Sequence, residues 1–256
     1  MFHLAAWYAS VDQGAAYTTM AAAVPEPVLF VSGNDIHVPA QLPNAVGFAA
    51  GLASGGQSNF RVTAPSLRGV SRMFGVPING FADADAIPDA TAKWLDLRDT
   101  PLPFVPPEVL NVDTHADPTV ARKQWVLVWL ADGPIQSLGG LKIYTARATA
   151  TTTLTVGQWT LCPITFDDSM PTGNIQVVGL RARSAGIIAA RFAFIGQQFR
   201  PGVLGSPTVA GLQPLAFRWG EFGVFGSFTI DTLPQIEVLS TSADTAEVFE
   251  LDIVLS

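Results

Sequence analysis

The sequence is short of charge. Only 14% of its residues are Asp, Glu, Lys or Arg, against about 25% in ordinary soluble domains, and mean hydropathy is +0.33. A chain with so little polar surface is expected to hide apolar area against something. Its apolar residues are spread over many short segments, so the simplest cover is other copies of the same chain in a large, durable assembly.

Basic residues are scarcer still: 14 Lys and Arg stand against 21 Asp and Glu, for a net charge of −7. No segment gathers them as phosphate contact requires, which argues against direct nucleic-acid binding. The low charge also limits repulsion among identical copies of one sign. A single cysteine, Cys162, excludes an intramolecular disulfide and a cysteine-based metal cage. Within Thr160-Leu161-Cys162-Pro163-Ile164 it reads as a small buried hydrophobe. The longest apolar runs, 46–53 and 125–131, fall far short of the ~20 residues of a spanning helix. The first residues carry no Lys or Arg and only a short apolar stretch, so they fail as a secretory signal. The mature chain is therefore expected to begin at Met1, inside a cell or particle.

Catalytic signatures are missing as well: there is no Gly-x-Ser-x-Gly, no phosphate loop, no Gly-x-Gly-x-x-Gly and no His-Glu-x-x-His. The chain is read as a non-enzyme. A glycosidase leaves no local signature, since its two carboxylates come from distant strands; Glu221, Glu237, Glu247 and Glu250 are the pool for such a pair. Glu247 and Glu250 read as solvent-facing strand positions. His3, His37 and His115 sit far apart and read as surface or hydrogen-bonded imidazoles.

What is present points to β-structure. Sixteen Phe, 6 Trp, 23 Gly and 19 Pro suit pleated sheets joined by many turns. Residues 1–24 are small and Ala-rich, with Asp12 their one charge, and end at Val24-Pro25-Glu26-Pro27. They are expected to form an arm or short helix outside the core, with Phe2, Trp7 and Tyr8 docking on the protein's own body, a neighbour or a lipid surface. From Val28 onward, strand pieces alternate with turns, as in 28–31 and 36–38 around Ser32-Gly33-Asn34-Asp35. A short helix is predicted near 90–97, with Asp89 as its N-cap. Prolines at 101, 103, 106, 107 and 118 mark an inter-domain crossing at about 100–118, because proline cannot donate to an interior ladder. Beyond it, 124–130 reads as a buried strand, 185–186 as a hairpin corner between 174–184 and 187–195, and 249–255 as a closing strand with one buried face. The fold is predicted all-β: two tandem antiparallel jelly-roll sandwiches, 25–118 and 119–256, after the arm.

Two stretches carry candidate chemistry. Asp83, Asp85 and Asp89 alternate as a hard cation such as calcium would use, without the glycine and bidentate Glu of an EF-hand loop; a solvated loop is the favoured reading. The run Phe217-Arg218-Trp219-Gly220-Glu221-Phe222-Gly223-Val224-Phe225-Gly226-Ser227-Phe228 interleaves aromatics with glycines. It is either a sugar-stacking platform, making the protein a glycan-binding module or virion spike, or aromatic core with close backbone approach, which is favoured.

Taken together, two β-sandwiches over 28–256, an apolar arm, little charge and no catalytic signature resemble the double jelly-roll major capsid proteins. The compact size looks most like the corticovirus group of tailless phages with an internal membrane. The resemblance implies homotrimers of pseudo-hexagonal outline tiling an icosahedral DNA-containing shell, in company with other capsid or vertex proteins. It also implies an N-terminal segment near the lipid, although 1–24 lacks the basic residues that favour anionic headgroups. Calcium occurs in some relatives, and no ligand is carried over.

Overall fold

The computed structural model describes residues 1–11, 17–52, 57–68, 76–81, 94–116, 122–140, 142–205 and 220–255. Two compact units result: an N-terminal unit, Ala5–Pro134, and a C-terminal unit, Ile135–Ser256, to which Met1–Leu4 also belong. Among the described residues the one helical element is a 3₁₀ turn, Pro65–Arg68, and no helix is long and apolar enough to cross a membrane.

The N-terminal unit contains β1 (Phe2–Val11) from Ala5 onward, β2 (Thr18–Thr19), β3 (Ala21–Ala22), β4 (Val31–Ser32), β5 (Asp35–His37), β6 (Asn44–Leu52), β7 (Gln57–Thr63), β8 (Val76–Phe81), β9 (Trp94–Asp96), β10 (Leu102–Pro103), β11 (Val109–Ala116) and β12 (Arg122–Ala131). One sheet runs β10-β6-β12-β1-β3, with β9 also on β6; the other runs β4-β5-β11-β7-β8, with β2 also on β11. The C-terminal unit contains β13 (Tyr144–Ala150), β14 (Thr160–Cys162), β15 (Thr165–Phe166), β16 (Ile175–Arg183), β17 (Ile187–Ala193), β18 (Gly202–Leu204), β19 (Gly226–Phe228), β20 (Gln235–Ser240) and β21 (Glu247–Leu255). Its sheets run β15-β13-β21-β16-β19 and β14-β20-β17-β18.

The two units share one strand order. Taking the principal strands in chain order as β1, β5, β6, β7, β8, β10, β11, β12 and as β13, β14, β16, β17, β18, β19, β20, β21, first pairs with last in each, second with seventh, third with sixth and fourth with fifth. That is a long hairpin rolled into a two-sheet sandwich, the jelly roll. Even an irregularity is shared. In β6 the ladder with β12 skips Val46, and in β16 the ladder with β21 skips Val178; each is followed by glycine. The carbonyl freed by each bulge accepts a backbone N–H, from Leu97 at 3.0 Å and from Gly220 at 2.8 Å, so neither is left unsatisfied.

Burial follows the sequence pattern. The run Gln124–Ala131 in β12 and Ala45–Gly51 in β6 are buried without alternation, and so are Ile187–Phe192 in β17 and Ile236–Ser240 in β20. Such strands are covered on both faces. By contrast β11, β13 and the middle of β21 alternate, with an inner apolar face and an outer polar one.

Several expectations are corrected. The described residues of 1–24 form no detached arm: β1 lies between β12 and β3 within a sheet, because Leu4–Trp7 present apolar side chains that both faces of the strand bury. The proline-dense passage 100–118 is no crossing between domains. Its described part supplies β10 and β11, with Pro103 in the short edge strand, Pro101 just before it and Pro106 and Pro107 in the turn between, while Pro118 lies outside the described residues; the units divide at Pro134 instead. Of the helix predicted at 90–97, Trp94–Asp96 form β9, where pairing with Gly47–Ala49 outweighs local propensity; 90–93 lie outside the described residues. The corner at Ala185-Gly186 is not a hairpin, since β16 and β17 belong to different sheets.

That corner is held by side chains. Asp244 accepts hydrogen bonds from the Ser184 hydroxyl and, at 2.8 Å, from the Ala185 N–H, while Thr241 Oγ1 and Ser242 Oγ donate to the carbonyls of Gly186 and Ala185 at 3.0 and 2.8 Å. Gly186 has φ +70°, and a Cβ there would stand 2.2 Å from Ser242 Oγ. Gly186→Ala is therefore expected to destabilise the protein by about 2 kcal/mol or more, through a left-handed alanine and an overpacked corner. Chemical denaturation checks this as a lower midpoint.

Candidate functional site

The most elaborate constellation of polar side chains lies in the C-terminal unit, around the first four residues of the chain. Phe2 inserts edge-on against Phe222 and Phe225, with ring centroids 4.6 and 5.0 Å apart. The Leu4 N–H donates to Arg200 O at 2.9 Å, and the Arg200 N–H donates to His3 Nδ1 at 3.0 Å. Arg191, on β17, completes the seat: its Nη1 donates to Leu4 O at 3.0 Å, its Nε to Glu237 Oε2 of β20 at 2.6 Å, and its guanidinium lies 4.0 Å over the Trp159 ring. Arg200 Nε stands 3.7 Å from Glu237 Oε1. A buried guanidinium is tolerable only with a carboxylate, further acceptors and a π-face around it. Gly202 makes room; a Cβ there would meet Ala190 O and Arg191 Cβ at 2.6 Å and Leu4 Cδ2 at 2.8 Å.

Beside this seat is an open pocket of ≈ 390 Å³ lined by Met1, Phe2, Phe199, Val224, Phe225 and neighbouring backbone. Gln197 and Gln198 are its polar side chains, and no charged side chain lines it. Apolar side chains also stand out singly elsewhere: Ile195 is 70% exposed, Val105 69% and Phe30 67%. Phe30 covers the His37 ring at 4.8 Å, and His37 Nδ1 lies 3.4 Å from Pro107 O.

A second buried acid has the opposite character. Glu247 is 1% exposed, and neither carboxyl oxygen has a hydrogen-bond partner. Burial, assisted by the nearby Asp244 charge, pushes its carboxyl up to about 7. Cys162 is buried too; burial first, and the Glu247 charge second, push its thiol up to about 12. This leaves Cys162 a poor thiolate nucleophile. The Ser184 hydroxyl, with backbone N–H groups of Thr245 and Ala185, holds Asp244 below the usual carboxylate range.

The residues singled out in the sequence fare differently. Phe2 is 3% exposed and Trp7 0%, and Trp7 Nε1 donates to Asn34 O at 3.0 Å, so neither presents a face to a neighbour or to lipid. Tyr8 is half-buried. Asp83, Asp85 and Asp89 lie outside the described residues, as do Phe217, Arg218 and Trp219. Phe222, Phe225 and Phe228 are core, which removes them from any sugar-stacking platform. The pool for a catalytic pair is dispersed: Glu237 binds Arg191, Glu250 binds Arg181 and Arg183 at 3.3 and 3.1 Å on an outer sheet face, and Glu247 is buried rather than solvent-facing. Among the described residues no three His, Cys, Asp or Glu gather as a metal site. Sequence reading missed the Arg191–Glu237 pair. An arginine inside the run Ile187–Phe194 was its signal, since a cation in a doubly covered strand needs a buried partner.

Two outcomes follow. Arg191→Ala leaves Glu237 buried beside Leu4 O without its donor and is expected to cost about 3–5 kcal/mol; Arg191→Lys, lacking the planar fork, restores only part of the loss in thermal denaturation. Glu247 acts with pH in a defined sense. Its folded value lies above the ordinary 4.5, so no cost arises below that pH. Stability is lost progressively as pH rises from 4.5 to about 7, by roughly 3 kcal/mol in full at pH 8. Glu247→Gln should raise the melting temperature at pH 8 and change it little at pH 4.

No family model matches the chain, and no curated protein matches it. Among solved structures, the chain is similar to the crystal structure of the major capsid protein P2 from bacteriophage PM2, over 100% of this chain and 98% of that one, at 13% identity and a TM-score of 0.28.

Proposed function

We propose that the protein is a structural virion protein, a major capsid protein without enzymatic activity. The observation that carries this reading is the tandem of two jelly rolls with one strand order in a single chain. Three such chains around a three-fold axis present six barrels, a pseudo-hexagonal unit able to tile an icosahedral shell. The shortage of charge supports self-association, because few like charges repel as copies approach one another.

In this reading the protein acts in the virion capsid after synthesis in the host cytoplasm. Its partners are its own copies, other capsid or vertex proteins and an internal membrane beneath the shell. Direct contact with the genome is not part of it, since residues 1–24 hold no Lys or Arg and no other segment gathers basic residues. Lipid contact would fall to surfaces other than Phe2 and Trp7, which are buried.

Light scattering and negative-stain imaging test the proposal. Purified protein is expected as particles of three 27.1 kDa chains with three-fold outline, joining into facets at high concentration. A monomer that stays monomeric at every concentration overturns it.

A further inference from the structure

The seat of the N-terminus contains an imidazole in one defined protonation state. His3 is buried, edge-on to Phe199 at 6.3 Å between centroids, and its Nδ1 accepts the Arg200 N–H at 3.0 Å. A nitrogen that accepts a hydrogen bond carries no proton, so His3 here holds none on Nδ1. In the same seat, Arg191 from β17 and Arg200 from the segment before β18 share the one carboxylate of Glu237 from β20.

We propose that His3 is an acid-operated release for the first four residues. A proton on Nδ1 removes the acceptor for the Arg200 N–H and sets donor against donor at 3.0 Å. It also adds a cation where two guanidiniums already share Glu237. The adjoining bonds belong to the same short segment, Leu4 N–H to Arg200 O and Arg191 to Leu4 O, so they open together with it. Withdrawal of Phe2 then uncovers Phe222 and Phe225 and joins their surface to the adjacent apolar pocket. Mild acid thus converts a closed seat into an exposed apolar groove. Glu247 does not produce this effect, because acid relieves its burial.

Hydrogen–deuterium exchange of the full-length protein tests the release between pH 7 and pH 5, above the range where free carboxylates take up protons. After correction for intrinsic rates, protection of the Leu4 and Arg200 amides is expected to fall at least about tenfold, with a parallel gain in binding of an apolar dye. His3→Asn keeps a short acceptor and cannot titrate, and should hold both amides protected to pH 5. If that variant fails to fold, the nitrogen resonances of His3 in the wild type decide instead: protonation of Nδ1 must track the loss of protection. Protection retained at pH 5 in the wild type, loss at the same pH in folded His3→Asn, or loss without His3 titration overturns the proposal.

Discussion

Each unit closes only when its last strand lies beside its first. In the C-terminal unit β21 runs along β13 from Tyr144↔Ile253 to Ala150↔Glu247, and along β16 on its other side; in the N-terminal unit β12 takes the same central place between β1 and β6. Until that strand arrives, the sheet has two open edges and an uncovered apolar face, and contacts so distant along the chain carry a large loop-closure cost. The sequence concentrates its apolar residues accordingly: Trp125–Ala131 and Phe249–Ile253 fall in the closing strands. The site at the N-terminus is built on the other sheet, where Glu237 and Arg191 stand opposite one another in the β17–β20 ladder.

The shortage of charge has two physical origins, and only one concerns partners. Strands buried on both faces, such as β6, β12, β17 and β20, need no polar side at all, and they account for long charge-free runs without any second molecule. Among the described residues, Phe30 and Val105 in the N-terminal unit and Ile195 and Met1 in the C-terminal unit add exposed apolar side chains.

The strand texture was legible in the sequence because it rests on local signals. Alternation in 249–253, the unbroken run 124–130, and Gly33 in its turn with φ 66° each follow from side-chain period or backbone freedom. The first 24 residues misled for a physical reason. Alanine-rich, charge-free sequence describes an exposed arm and a strand covered on both faces equally well, and only the partner strands tell them apart. Prolines 101–107 misled similarly, since an edge strand tolerates them as readily as a linker does. At the site, Arg191 announced a buried partner but not which acid, as Glu237 lies 46 residues away. Glu247 carried a signal that went unread: by the period of two it shares the face of Phe249, Leu251 and Ile253, so alternation turns it inward.

The paired bulges show how little residue identity the fold demands. The halves lack a residue-level repeat, yet Val46-Gly47 and Val178-Gly179 occupy the same place in the third strand, opposite the last strand and beside the sixth. A jelly-roll sheet has to curl there, because the third strand carries the last strand along one edge and a short outer strand along the other. An extra residue bends it and strengthens its twist. Valine fills the core at the bend, both copies being fully buried, and a glycine follows each. The freed carbonyl turns outward to a residue of the connection leading to or from the sixth strand and so anchors the outer edge. Curvature, burial and edge anchoring thus converge on two residues, and a chain can replace nearly everything else around them while keeping the same roll.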